Sequence, residues 1–347
     1  MKTVRLALVG VGNVGQRLLT LIDERRETLS NEYQLDFSLT CVADSSGVAM
    51  NGSGFELAKL VHHKANRGRL AELAEFCPGL SFTDALQTAS CDILLETSPL
   101  DLETGDPGLV NSRTALQQGM HLVLANKSPL ALAQGELLGL AAANDVGILY
   151  SATFCGGLPV LNVIRRDMVC GNITRLRGIF NGTTNFMLAE MLAGNDYASA
   201  LQQAQDIGAA EADPRFDVGG WDTAAKLVIA ANQFCEPMFS LANVDVTGIE
   251  NVSASDLQSC RQEGQSLKLV ASAERIDDTW RLKVEPTAVP ADSFLGSCNG
   301  WEMGVVIDSD IYGESFYKLR EDEPIPTAAS VLRDAVHLAT GGRQASL

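Results

Sequence analysis

Six residues near the start of the chain, Gly10-Val11-Gly12-Asn13-Val14-Gly15, restrict its fold more than any other feature. They follow a β-prone run at residues 3–9 and precede residues 14–29, where apolar side chains recur at helical spacing. In that context the G-x-G-x-x-G pattern reads as strand, tight turn and helix, the opening unit of a doubly wound sheet that binds a dinucleotide. Gly10 permits the turn, Gly12 lets the backbone approach a pyrophosphate, and Gly15 lets the helix lie against the strand. The helix start, with Asn13 and Val14, offers N–H groups and a partial positive charge to phosphates.

A second β-prone run, residues 37–43, ends at Asp44, which is placed to accept hydrogen bonds from adenosine ribose hydroxyls. An acidic group there disfavours a 2′-phosphate, so NAD is favoured over NADP. Ser45-Ser46-Gly47, with Lys59 and Lys64 downstream, keeps NADP open. A strand at 92–96 ends in Thr97-Ser98-Pro99, and further strands at 121–124 and 147–150 alternate with helix-like stretches at 55–64, 111–118 and 130–144. Such alternation implies a parallel sheet covered on both faces.

Residues 1–150 are therefore expected to form a Rossmann-type NAD(P)-binding domain, and the class is α/β. Residues 151–319 differ: helical stretches at 185–207 and 221–234 precede hairpin-like pairs around Asp277-Asp278 and Asp308 to Asp310, an α+β second domain. A helical stripe at 327–338 is expected to return to the first domain, so that 320–347 complete it.

Bulk properties narrow the function. A net charge of -17, from 43 acidic and 26 basic residues, repels phosphate backbones and anionic membranes, so neither nucleic acid nor a membrane is an expected partner. Eight cysteines stand singly without metal spacing, which argues for reduced thiols in the cytoplasm. The longest uncharged run, residues 146–164, contains Gly147, Gly156, Gly157 and Pro159 and does not suit a spanning helix.

The candidate chemistry lies at residues 211–226, which hold Glu211, Asp213, Asp217, Asp222 and Lys226. Asp222 and Lys226 are one helical turn apart, and such a pair on a surface is worth only a few tenths of a kcal/mol. Here Ala224, Ala225, Leu227, Val228, Ile229 and Ala230 flank it, which puts the lysine near the edge of a buried face, and the segment as a whole offers the proton donor and positioned charges that hydride transfer to a carbonyl needs. Asn126 and Lys127 fall where a short strand gives way to a helix, at the carboxyl edge that faces a cofactor. Glycine-rich turns at 152–159 and 178–185 offer backbone amides or hydroxyls to a small polar substrate, with Thr184 or Asn185 as a helix cap in the plainer reading.

GVGNVG, LANKSPLAL, ATFCGGLPVL, GIFNGTTNFML and AEADPRFDVGGWDTAAKL occur in the order found in homoserine dehydrogenases, and VEPTAVP also looks like that family. The resemblance covers nearly the whole chain. It implies NAD(P)-dependent reduction of aspartate-4-semialdehyde to homoserine, in threonine and methionine biosynthesis, by a homodimer whose second domain is catalytic and pairs strands across subunits. It implies that Lys226 is the acid/base, with Asp222 beside it; that Glu211, Asp217 and Thr183 hold the amino-acid end of the substrate; and that Lys127 sits between nicotinamide and substrate. It further implies that backbone carbonyls of Phe154, Gly156 and Leu158 hold a monovalent cation such as sodium.

The chain departs from the family pattern in two loops. Ser151-Ala152-Thr153-Phe154-Cys155 stands where the family commonly has Glu-Ala-Thr/Ser-Val-Gly, and Lys318 to Pro324 replaces a glycine-rich loop. Leu347 comes before any regulatory ligand-binding domain of longer members, so feedback inhibition through one is not expected. Two alternatives stand beside this reading: an acylating aldehyde dehydrogenase that uses Cys155 as nucleophile, and an inactive relative that senses NAD(P)H.

Overall fold

The structure is a computed structural model and describes residues 1–207 and 214–342, which fall into two compact units. The first comprises Met1–Gly157 and the stretch from Pro324 onward; the second is Leu158–Glu323.

The first unit contains β1 (Lys2–Val9), β2 (Leu35–Asp44), β3 (Gly47–Met50), β4 (Ile93–Glu96), β5 (His121–Leu124) and β6 (Ile148–Leu149) in the order β3-β2-β1-β4-β5-β6. All neighbours are parallel except β3, which folds back on β2. This is the expected doubly wound sheet, and the strand order reverses between β1 and β4, where such sheets bind ligands. The apolar stripe of the Asn13–Glu24 helix (Leu18, Leu19 and Ile22) shares a core with Leu6, Leu8, Phe37 and Leu39 of the sheet. Val331, Leu332, Ala335 and Leu338 of the Ile325–Ala339 helix join the same core.

Helix boundaries are where expectation and structure part. The single helix expected over residues 14–29 is two, Asn13–Glu24 and Arg26–Tyr33, because residues 23–27 are all charged and supply no apolar side chain to continue the stripe. The stretch expected as one helix over 185–207 divides into Gly182–Leu192 and Tyr197–Asp206. Gly194 adopts φ +113° between them, and the Asp196 carboxylate caps the second helix by accepting from the Ser199 N–H at 2.7 Å.

The second unit holds β7 (Ile173–Ile179), β8 (Val244–Val246), β9 (Gln265–Ile276), β10 (Thr279–Pro290), β11 (Glu302–Ser309) and β12 (Gly313–Arg320), in the order β12-β11-β7-β9-β10-β8. Every pairing is antiparallel except β8 with β10. The β9–β10 hairpin turns at Asp277 and Asp278, both left-handed (φ 47° and 63°), a conformation that aspartate tolerates better than most residues. The Trp221–Ala231 helix packs on β9 and β10 with nine buried residues, so it is almost wholly core. Among the described residues, no helix is long and apolar enough to cross a membrane.

One long-range tie fixes the loop after β6. Ser151 donates from its backbone N–H (2.7 Å) and from Oγ (2.8 Å) to the two carboxylate oxygens of buried Asp334, on the Ile325–Ala339 helix. Hydrogen bonds to a charged group are worth about 1.5–3 kcal/mol each, and losing the acceptor leaves the Ser151 donors buried. Asp334→Ala is expected to cost about 3 kcal/mol, read as a lower urea midpoint by far-UV circular dichroism; an unchanged midpoint would show that the tie is dispensable.

Candidate active site

In the first unit the glycine turn is shaped by collisions that side chains would cause. Gly10 adopts φ +89°, and a Cβ there would strike the Thr97 carbonyl oxygen; a Cβ on Gly15 would strike the Gly10 carbonyl oxygen. Thr97 Oγ1 lies 3.0 Å from the Val9 carbonyl and 2.5 Å from that of Gly10, which sews the turn to the end of β4. Gly12 is different, because a Cβ there would meet no protein atom within 4 Å. It is the N-cap of the Asn13–Glu24 helix and has no side chain to satisfy the first-turn amides, among them those of Asn13 and Val14. An open glycine over uncapped helical N–H groups fits a pyrophosphate.

Asp44 lies at the end of β2, as the sequence implies, but it is not a lone acceptor. Oδ1 accepts from the N–H (2.7 Å) and Oγ (2.6 Å) of Ser46, and Oδ2 accepts from Lys64 Nζ at 2.5 Å. Burial pushes the Asp44 carboxyl up, yet the bonds from Lys64 and Ser46 outweigh it and hold the group below its ordinary value. Lys59 pairs with Glu56 on the surface instead.

Ser98 and Asn126 meet: Asn126 Nδ2 donates to Ser98 Oγ (3.1 Å) and to the Pro99 carbonyl (3.0 Å). Lys127 is the half-buried N-cap residue of the Ser128–Ala143 helix.

In the second unit Asp222 and Lys226 form an ion pair of 2.7 Å with side chains only 9% and 12% exposed, which removes it from the class of surface pairs. Lys226 Nζ also donates to the Phe180 carbonyl at 2.6 Å. Asn181, buried at the end of β7, donates from Nδ2 to Asp217 (2.7 Å) and to Asp222 (3.0 Å), which links two carboxylates through one neutral amide. Its Oδ1 accepts from the Thr184 N–H at 2.8 Å, so Asn181, rather than Thr184 or Asn185, caps the Gly182–Leu192 helix. Thr183 lies buried in the first turn of that helix. Asp222 sits in the first turn of its own helix, where the macrodipole favours a carboxylate.

Sequence reasoning missed Asn181. Its signal was present, an asparagine between a strand and Gly182-Thr183-Thr184, but the reach of its amide to two later carboxylates is not a local property. Asn185 instead donates to the carbonyls of Cys298, Gly300 and Glu302 and accepts from buried Lys268 at 3.1 Å, an anchor for the turn before β11. Glu211 lies outside the described residues.

Of the residues expected to hold a cation, Phe154 and Gly156 fall in the first unit and Leu158 in the second. The Gly156 carbonyl already accepts from Ser330 Oγ at 3.0 Å, so one of its lone pairs is taken. Cys155 is fully buried, which gives an aldehyde no access to a thiolate there.

The two helix-side glycines make opposite predictions. Gly12→Ala is expected to leave the melting temperature unchanged and to weaken NAD(P)H binding at least tenfold, because the methyl group would enter only the phosphate space. Gly15→Ala is expected to lower the melting temperature as well, because Gly10 must move. Differential scanning fluorimetry with and without nucleotide separates the two; equal melting temperatures for both variants would refute the account of the turn.

Residues 159–336 match the family model described as homoserine dehydrogenase. A homoserine dehydrogenase from Methanocaldococcus jannaschii is 32% identical over 96% of this chain and 98% of its own length. An NAD(+)-dependent homoserine dehydrogenase from Pseudomonas canavaninivorans is 34% identical over 97% of each. Among solved structures, a putative homoserine dehydrogenase from Archaeoglobus fulgidus superposes with a TM-score of 0.85 at 31% identity, covering 96% of this chain and 99% of that one. With the glycine cradle and the buried Asp222–Lys226 pair already in place, these matches settle the family: the chain belongs to the homoserine dehydrogenases.

Proposed function

We propose that this chain catalyses the reversible NAD(P)-linked reduction of L-aspartate-4-semialdehyde to L-homoserine. The observation that carries the reading is the run of polar contacts from half-buried Asp217 through buried Asn181 and Asp222 to Lys226. A chain that needed only packing would not retain two carboxylates and an ammonium there, because their desolvation is costly.

NAD(P)H, proposed to be held by Gly10, Gly12, Asn13, Val14, Gly15, Asp44, Thr97, Ser98, Asn126 and Lys127, supplies the hydride when bound. The carbonyl oxygen gains negative charge as its carbon accepts the hydride, and Lys226 Nζ gives it a proton. Asp222 and the Phe180 carbonyl aim the ammonium before the transfer. Solvent restores the lost proton. In the reverse direction the neutral amine takes the hydroxyl proton of homoserine, and Asp222 stabilises the ammonium that forms.

Asp217 and Thr183 are assigned to the amino-acid end of the substrate, with Asn181 relieving repulsion between Asp217 and Asp222. Glu211 joins them, and Lys127 takes its catalytic place, on the family resemblance alone. A cation at Phe154, Gly156 and Leu158 rests on the same resemblance, and no step of the reaction is assigned to it.

Three further assignments have single supports. A homodimer is supported by β12, an eight-residue strand at a sheet edge whose outward backbone groups can pair with a second copy. A cytoplasmic setting is supported by eight cysteines that all stand as free thiols. The absence of a nucleic-acid partner is supported by the net charge of -17.

The deciding experiment is NAD(P)H formation from homoserine at alkaline pH, followed spectrophotometrically with each nicotinamide. Lys226→Ala is expected to lower kcat by about 10²–10⁴ while the KM for homoserine changes little; retention of most activity would remove the lysine from its role. Lys64→Ala would leave Asp44 without its cation, and is expected to weaken NADPH binding by about tenfold or more with little effect on NADH. Equal loss with both nucleotides would show that Lys64 is not beside the 2′ position.

A further inference from the structure

The first unit buries a carboxyl group that the proposed reaction does not use. Glu96 is the last residue of β4 and fully buried, and the residues before it on the strand, Ile93, Leu94 and Leu95, are buried and apolar. Oε1 accepts from the Ser98 N–H at 2.8 Å, and Oε2 accepts from Nδ2 of buried Asn111 at 3.2 Å, on the Gly108–Gln117 helix. Burial pushes this carboxyl up, against the pull of these neutral donors. An apolar side chain of similar size would fill the site at lower cost, since removing a carboxylate from water is expensive. Packing alone therefore does not explain a glutamate here.

The Glu96 carboxylate draws the Ser98 N–H back under the carboxyl edge of the sheet, and Ser98 Oγ and the Pro99 carbonyl accept from the Asn126 amide. The Glu96 carbonyl accepts from the N–H groups of Ala125 (2.9 Å) and Asn126 (3.3 Å), so the turns after β4 and β5 are tied at one residue. Thr97, between Glu96 and Ser98, is the residue whose Oγ1 meets the Gly10 carbonyl of the glycine turn. Thr97, Ser98 and Asn126 are three of the groups assigned to the nucleotide.

We propose that Glu96 is a positioning residue for the nicotinamide nucleotide: its buried carboxyl sets the Thr97-Ser98-Pro99 turn and Asn126 in the conformation that receives the cofactor. The inference rests on the assignment of NAD(P) to the glycine turn.

The test uses the full chain and two variants. In Glu96→Gln the side-chain oxygen can keep the Ser98 N–H, but the new NH2 group no longer accepts from Asn111 Nδ2, so the Asn111 amide has to turn over before the two can bond. Adding Asn111→Asp places an acceptor there without that turn. NADH and NADPH binding is measured by nucleotide fluorescence titration without amino-acid substrate, beside the melting temperature and the homoserine KM at saturating nucleotide. Glu96→Gln is expected to raise the nucleotide Kd at least tenfold with the homoserine KM within twofold, and the double variant to recover most of the lost affinity. Unchanged nucleotide Kd in Glu96→Gln would overturn the proposal. So would a fall in melting temperature with nucleotide Kd and homoserine KM rising together and no recovery in the double variant, the signature of a purely structural role. A wild-type chain that binds neither nucleotide would instead overturn the cofactor assignment, and this inference with it.

Discussion

Burial of the Trp221–Ala231 helix is the constraint from which the arrangement of the second unit follows. Nine buried residues leave that helix little freedom to rotate, so the direction in which Asp222 and Lys226 project is set by apolar packing rather than by their own attraction. Two charges drawn that far from water each cost several kcal/mol unless other groups compensate. The Phe180 carbonyl and the Asn181 amide provide that compensation, both from the end of β7. Asn181 also caps the next helix and reaches Asp217, so the site is stiff because Asn181, Asp222 and Lys226 each answer to at least two partners.

The first unit reaches stiffness by a different route. There the backbone itself approaches: Gly10 and Gly15 have no room for a Cβ, and Thr97 holds the turn through its hydroxyl. The C-terminal helix supplies Asp334 to Ser151, 183 positions away, whose N–H and Oγ donate to its two carboxylate oxygens.

That distance marks what the sequence reveals and what it conceals. Strand, turn and helix at residues 2–24 were legible because glycine spacing and apolar periodicity are local. The Asp222–Lys226 pair was legible because one helical turn fixes it. Asn181 to Asp222 spans 41 positions and Ser151 to Asp334 spans 183, and both depend on how strands and helices stack. Helix ends failed for a related reason: residues 23–27 show loss of the stripe, but where the chain turns depends on Leu29 finding its core. Glu96 was invisible because a glutamate at the end of an apolar strand reads as the place where the strand reaches water, and only the fold shows that it does not.

Charge gives the last step. A chain of net charge -17 repels an anionic dinucleotide at long range, but at physiological salt that repulsion fades over about 8 Å. Within that distance the local groups decide, and here they are uncapped helical amides after Gly12 and an Asp44 carboxylate already matched by Lys64. The same acidic residue that would exclude a 2′-phosphate if it stood alone is locally neutral when paired. Preference between the two nicotinamides therefore turns on one ion pair, and on how readily Lys64 exchanges Asp44 for a phosphate, rather than on the presence of an acidic residue at the end of β2.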